Sequence, residues 1–169
     1  MSEPFINKVA DSGLITLDLA SFLPENEIVL FDIKDYLFME LILKEKDFRA
    51  ALLTLDLSKY QDKIVGIFCS VDAIIPMWAN MLIAAALAPI AKSIHFGNEN
   101  KVREQLLLAQ IANINASDYS EQRIVVKGCG DTPISESAYI AITQKLRPVV
   151  KSIMYGEPCS TVPVYKKKP

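Results

Sequence analysis

Pro89-Ile-Ala-Lys-Ser-Ile-His-Phe-Gly97 and Pro148-Val-Val-Lys-Ser-Ile-Met-Tyr-Gly156 match position by position. A chain that repeats itself restricts its own architecture before any single element is assigned. Upstream, Ile64-Val65 followed by Cys69 matches Ile124-Val125 followed by Cys129, with a one-residue slip in register between the two landmarks. Two origins stand open: duplication of a β-α-β unit, or convergence of two helix-to-strand turns within one sheet. On either origin, Cys69 and Cys129 are expected at equivalent strand exits.

The second copy is the more legible. Ile124–Lys127 is a short β-rich run ended by Gly128-Cys129-Gly130. Pro133 stands where a helix can begin, because its missing N–H costs nothing in a first turn. Ala138, Ile142, Leu146 and Val149 give helical apolar spacing, and Ile153–Tyr155 returns as a strand. Strand, helix and strand in one sheet require parallel strands and a right-handed crossover. In the first copy, Lys63–Phe68 is a nearly continuous apolar run, which suits a central parallel strand covered on both faces. The charge-free stretch Ala73–Ala91 follows, and Ile94–Phe96 closes the unit.

Before the first copy, Met1–Ser12 reads as a leader, and Leu14–Leu19 and Glu27–Ile33 read as strands that pair as an antiparallel ribbon at a sheet edge. Tyr36–Leu43 has no decisive period, whereas Phe48, Leu52 and Leu55 share one helical face. Val102–Ile114 is a further amphipathic helix, and Ser160–Pro169 an extended tail. The expected fold is a single α/β domain over residues 1–169: three layers, α/β/α, with a mostly parallel sheet, antiparallel N-terminal strands and an internal β-α-β repeat.

Composition removes several function classes. The chain has 169 residues, half of them hydrophobic, and a net charge of −2. It advertises no basic face for nucleic acid, and Lys166-Lys167-Lys168 reads as a solvated tail. Phe5-Ile6 is too short for a secretory h-region. Pro76, Asn80 and Pro89 interrupt the charge-free stretch, so no membrane span is expected. That stretch reads instead as a helix buried all round, in the core or at a subunit interface of a homo-oligomer. Three cysteines without a CxxC pair point to reduced thiols in the cytoplasm.

Ligands of open α/β sheets bind outside the carboxyl ends of the strands. Cys69, Cys129 and Cys159 fall at or near such ends, as do Ser70, Asp72, Asn98, Asp131, Glu157, Ser160 and Thr161. Three thiolates at one edge would hold zinc or an iron–sulfur centre, with His95, Asp72 or Asp131 as a fourth ligand. The opposing reading makes each cysteine a small buried hydrophobe, and His95, the only histidine, a sheet-face residue. The best single loop is Gly128-Cys129-Gly130-Asp131-Thr132. Its glycines permit close approach of a ligand to the backbone, and a helix starting near Pro133 would favour the Cys129 thiolate or a bound anion. Cys129 and Asp131 are therefore the candidate catalytic pair, with Gly128, Gly130, Ser70, Asp72, Ser160 and Thr161 as candidate binding positions. Asp32 and Asp35 read as a strand-exit cap and its solvated neighbour.

Five blocks carry a family resemblance: Phe31–Phe38, Leu43–Arg49, Cys69–Ala79, Val126–Asp131 and Lys151–Pro163. Together they resemble an uncharacterised bacterial family, found mostly in the Bacteroidetes and catalogued as domain of unknown function number twenty-four eighty. The resemblance spans nearly the whole chain. It implies no activity and carries over no catalytic residue. It does imply gene neighbours among sulfur-mobilising iron–sulfur assembly systems, and hence assembly proteins as partners. The favoured expectation is an accessory protein in sulfur or iron–sulfur handling, with Cys129 as central thiolate. Its rivals are a small-molecule or anion-binding enzyme using the glycine loop, and a non-catalytic structural or interaction module.

Overall fold

The computed structural model describes residues 7–9, 13–128, 132–157 and 160–169. The described elements run β1 (Asn7–Val9), β2 (Leu14–Asp18), β3 (Ile28–Asp32), α1 (Glu45–Leu53), β4 (Ile64–Phe68), α2 (Met77–Leu87), β5 (Ser93–Phe96), α3 (Glu99–Asn113), β6 (Arg123–Lys127), α4 (Glu136–Leu146), β7 (Ser152–Glu157) and β8 (Ser160–Lys166). The chain divides into two compact units: Met1–Pro24 with Arg103–Pro169, and Glu25–Val102.

In the unit of residues 25–102, β3, β4 and β5 form a parallel sheet in that order. Ile64-Val-Gly-Ile occupies its centre and is buried on both faces, which is why β4 reads as an unbroken apolar run. Phe31, Phe48, Tyr60, Val65 and Ile67 gather with Ala79, Ile83 and Leu87 of α2 into one core. The spacing of the α2 residues places one narrow stripe of that helix on the sheet. In the other unit the order is β1-β2-β6-β7-β8, with β2, β6 and β7 parallel and the flanking strands antiparallel. Here Leu107, Ile111, Ile124, Val126, Ala138, Ile142 and Leu146 form the core.

The repeat is a property of the whole unit rather than of two turns. Ile64 and Arg123 open β4 and β6, Ser93 and Ser152 open β5 and β7, and Met77 and Glu136 open α2 and α4. Every pair is 59 residues apart. The same offset relates Phe48 to Leu107 and Tyr60 to Tyr119, all buried. It also relates Asp62 to Glu121, both held at φ 59. Their amides donate to the carbonyls of Ile90 and Val149, again 59 apart, at 2.9 and 2.8 Å. Convergence of similar turns would not carry one register through two helices, two strands and a left-handed residue.

This register corrects the one-residue slip. The partner of Ile64 in the repeat is Arg123, so the position equivalent to Cys69 is Gly128, and the position equivalent to Cys129 is Ser70. Other expectations change as well. The strands are mostly parallel as expected, but they are shared between two sheets. β2 and β3 do not pair as a ribbon, because each finds a parallel partner in β6 or β4. Within the expected leader, Asn7–Val9 pairs antiparallel with β2. Residues 160–166 of the expected tail pair antiparallel with β7. Within the chain itself α2 is not buried all round, since Met77 and Met81 on its outer side are exposed. Among the described residues, no helix is long and apolar enough to cross a membrane.

Candidate functional site

In both units the first of the parallel strands, β2 or β3, ends on an aspartate that turns back on the chain. Asp32 Oδ1 accepts from the Lys34 amide at 3.0 Å, and Asp18 Oδ1 from the Ala20 amide at 3.0 Å. These carboxylates cap short 3-10 turns, whose first N–H groups have no partner of their own. The cap role read for Asp32 is present, and it reaches further: Oδ1 also accepts from the Ser70 amide, 3.1 Å away at the exit of β4. Burial pushes the Asp32 carboxyl up. The hydrogen bonds from Ser70 and the Lys34 amide, with the Lys34 charge beside it, outweigh that push and hold it below the usual carboxylate range.

The sign for stability follows. A carboxyl whose folded value lies below its unfolded value of about 3.9 stabilises the fold above that pH. The contribution is lost as pH falls through the lowered folded value. Asp32→Asn keeps an acceptor oxygen and removes the charge. It is expected to lower the urea midpoint at neutral pH, by an amount that shrinks steadily below about pH 4. A penalty unchanged down to pH 2 would contradict the assignment.

In the other unit the strand ends carry charge. Lys127 Nζ, at the end of β6, lies 3.8 Å from Asp18 Oδ2 and 3.5 Å from Glu157 Oε1. The three side chains come from β2, β6 and β7, so the parallel register brings them to one edge. The next residue, Gly128, is fixed by a neighbour: a β-carbon there would lie 2.2 Å from the Tyr139 hydroxyl. Only glycine lets the tyrosine of α4 reach this backbone. The Tyr139 ring meets Tyr155 edge-on, with centroids 5.6 Å apart. Both rings line an apolar groove of about 370 Å3 with Ile140, Met154 and Val164.

The sequence-derived candidates divide between the units. Cys69, Ser70 and Asp72 follow β4, while Gly128 follows β6 and Ser160 and Thr161 open β8. Cys69 is half-buried against the apolar core of its unit, which agrees with the small-hydrophobe reading of that residue. Thr161 Oγ1 lies 3.6 Å from Met154 Sδ. His95 is part-buried in β5 with Nε2 3.0 Å from Ser93 Oγ, as a sheet-face histidine would be. Cys129, Gly130, Asp131 and Cys159 lie outside the described residues. Among the described residues, no group of three or more His, Cys, Asp and Glu side chains is arranged to hold a metal ion. Glu157 is among the strand-end residues read from the sequence, whereas Asp18, Lys127 and Tyr139 are absent from that set. The available signal was the strand-final Asp shared by Leu-Ile-Thr-Leu-Asp18 and Ile-Val-Leu-Phe-Asp32.

The fold defines an α/β protein built from two copies of one unit, with strand-end clusters as its polar features. The chain belongs to the family described as protein of unknown function (DUF2480), whose model matches residues 3–167. No curated protein and no solved structure matches it.

Proposed function

We propose that the protein is a cytoplasmic accessory in sulfur or iron–sulfur handling, working as a homo-oligomer with iron–sulfur assembly proteins as partners. Its working group is the thiolate of Cys129. The observation that carries the reading is Lys127, bridged to Asp18 and Glu157 at three adjoining strand ends, two residues before Cys129 in the chain. For this role the Lys127 ammonium must outweigh the Asp18 and Glu157 carboxylates at the thiol, since a nearby cation favours a thiolate and nearby anions oppose it. The apolar groove beside Gly128 offers a low-dielectric surface for a partner or substrate. Metal and acid-labile sulfide analysis of protein purified without oxygen tests the reading. Retained sulfide or metal that Cys129→Ser abolishes is expected. Equal, background levels in both proteins would leave the second reading, a non-catalytic interaction module, which the exposed apolar face of α2 favours.

A further inference from the structure

The two copies of the unit act as controls for each other. On α4 and the residue after it, the outward positions hold Glu136, Ile140, Gln144 and Arg147, one apolar residue among three polar or charged ones. The counterparts on α2 and the residue after it, 59 residues earlier, are Met77, Met81, Ala85 and Ala88, all exposed and none polar. Met77 is 77% and Met81 70% exposed, and Ile74 in the loop before them 91%. The unit's own packing does not ask for these residues, because α2 already seats Ala79, Ile83 and Leu87 on the core. From this contrast we infer that the outer face of α2 is the contact surface for a second copy of the chain, with two α2 helices crossing antiparallel about a two-fold axis.

The pattern along the helix selects a second copy as the occupant. Large residues stand at the start of α2 and small ones at its end. Antiparallel pairing sets Met77 and Met81 of one copy over Ala85 and Ala88 of the other, and the reverse, so the face is complementary to itself. No charged residue occurs from Ala73 to Ala91, so a two-fold pairing brings no like charges together. Ile74, Met77 and Met81 alone expose on the order of 500 Å2 per copy, or about 1,000 Å2 over two copies, which is the lower bound for a specific interface. The inference rests on the oligomeric part of the proposed function and names the surface.

Sedimentation equilibrium of the full chain tests it. The wild type is expected to be a dimer in the micromolar range. Met81→Glu, on an exposed position, buries an uncompensated carboxylate in the dimer and is expected to raise its Kd about a hundredfold or more. Ile140→Glu, at the equivalent position of α4, is expected to leave the dimer intact. Circular dichroism and the melting curve of Met81→Glu should match the wild type. A monomeric wild type would overturn the inference, as would a folded Met81→Glu that remains dimeric, or dissociation by Ile140→Glu alone. Alkylation of Cys129 in Met81→Glu separates the two proposals: unchanged reactivity in a monomer leaves the thiol reading standing.

Discussion

Gly66→Val is expected to destabilise the unit of residues 25–102 strongly, although the repeat carries valine, Val125, at the same place in β6. A β-carbon on Gly66 would lie 2.8 Å from the Gly97 carbonyl oxygen, 2.9 Å from Leu30 Cδ2 and 3.0 Å from Val102 Cγ2. Side chains can rotate away from such a contact, but a carbonyl cannot without dragging the exit of β5. Ordinary overpacking costs about 1–3 kcal/mol and occasionally more. Valine adds two methyl groups to a contact already too short for alanine, so a loss of about 4 kcal/mol is expected, with Gly66→Ala at about 1–3 kcal/mol. Trp78, the only tryptophan, belongs to this unit and reports its unfolding in urea by fluorescence. A Gly66→Val midpoint within error of the wild type would show that β4 and the start of α3 are packed more loosely than described.

Phe48→Ala is the second large effect. Phe48 is buried on α1, edge-on to Tyr36 at 5.3 Å and tilted against Trp78 at 6.3 Å. Removing a buried phenyl ring leaves a cavity and costs about 3–5 kcal/mol, a large share of the roughly 5–15 kcal/mol that holds an ordinary domain folded. Because the lost ring touches Trp78, the folded variant is also expected to emit at longer wavelength. Leu107→Ala removes the counterpart in α3 at about 2–5 kcal/mol, and its folded state is expected to keep the wild-type emission. Equal spectral shifts in both variants would contradict the separate cores.

Much of this fold was legible because burial writes itself as period. Lys63–Phe68 read as a central strand, Ile124–Lys127 as a short strand, and Ala138, Ile142, Leu146 and Val149 as helical apolar spacing, since most of those residues face the core. The repeat was legible where its residues are similar, at Pro89–Gly97 and Pro148–Gly156. Its register was misread upstream because Ile64-Val65 and Ile124-Val125 are alike in letters but one step apart in the sheets. Apolar identity in a strand covered on both faces does not fix which residue pairs with which. The division into two sheets was illegible for a related reason: Leu14–Asp18 and Ile28–Asp32 sit near each other in sequence, and only their distant partners β6 and β4 separate them. Which partner covers the outer side of α2 was not legible, because an uncharged helix reads as buried whether that side meets its own chain or another. Asp18, Lys127 and Glu157 are 109 and 30 residues apart in turn, and no local pattern joins them.

The most direct test of the functional account is the reactivity of one thiol. An unperturbed cysteine titrates at about 8.5, and the proposed function requires Lys127 at the strand end to lower that value for Cys129. Alkylation as a function of pH, followed by peptide mapping, separates Cys129 from Cys69 and Cys159. The account predicts that Cys129 reacts fastest at neutral pH, with an apparent pKa below about 8.5 that rises towards it in Lys127→Met. Cys129→Ser removes the fast phase. If Cys129 instead alkylates no faster than an unperturbed thiol and Lys127→Met changes nothing, the strand-end cluster does not serve a thiolate, and the sulfur-handling role is contradicted.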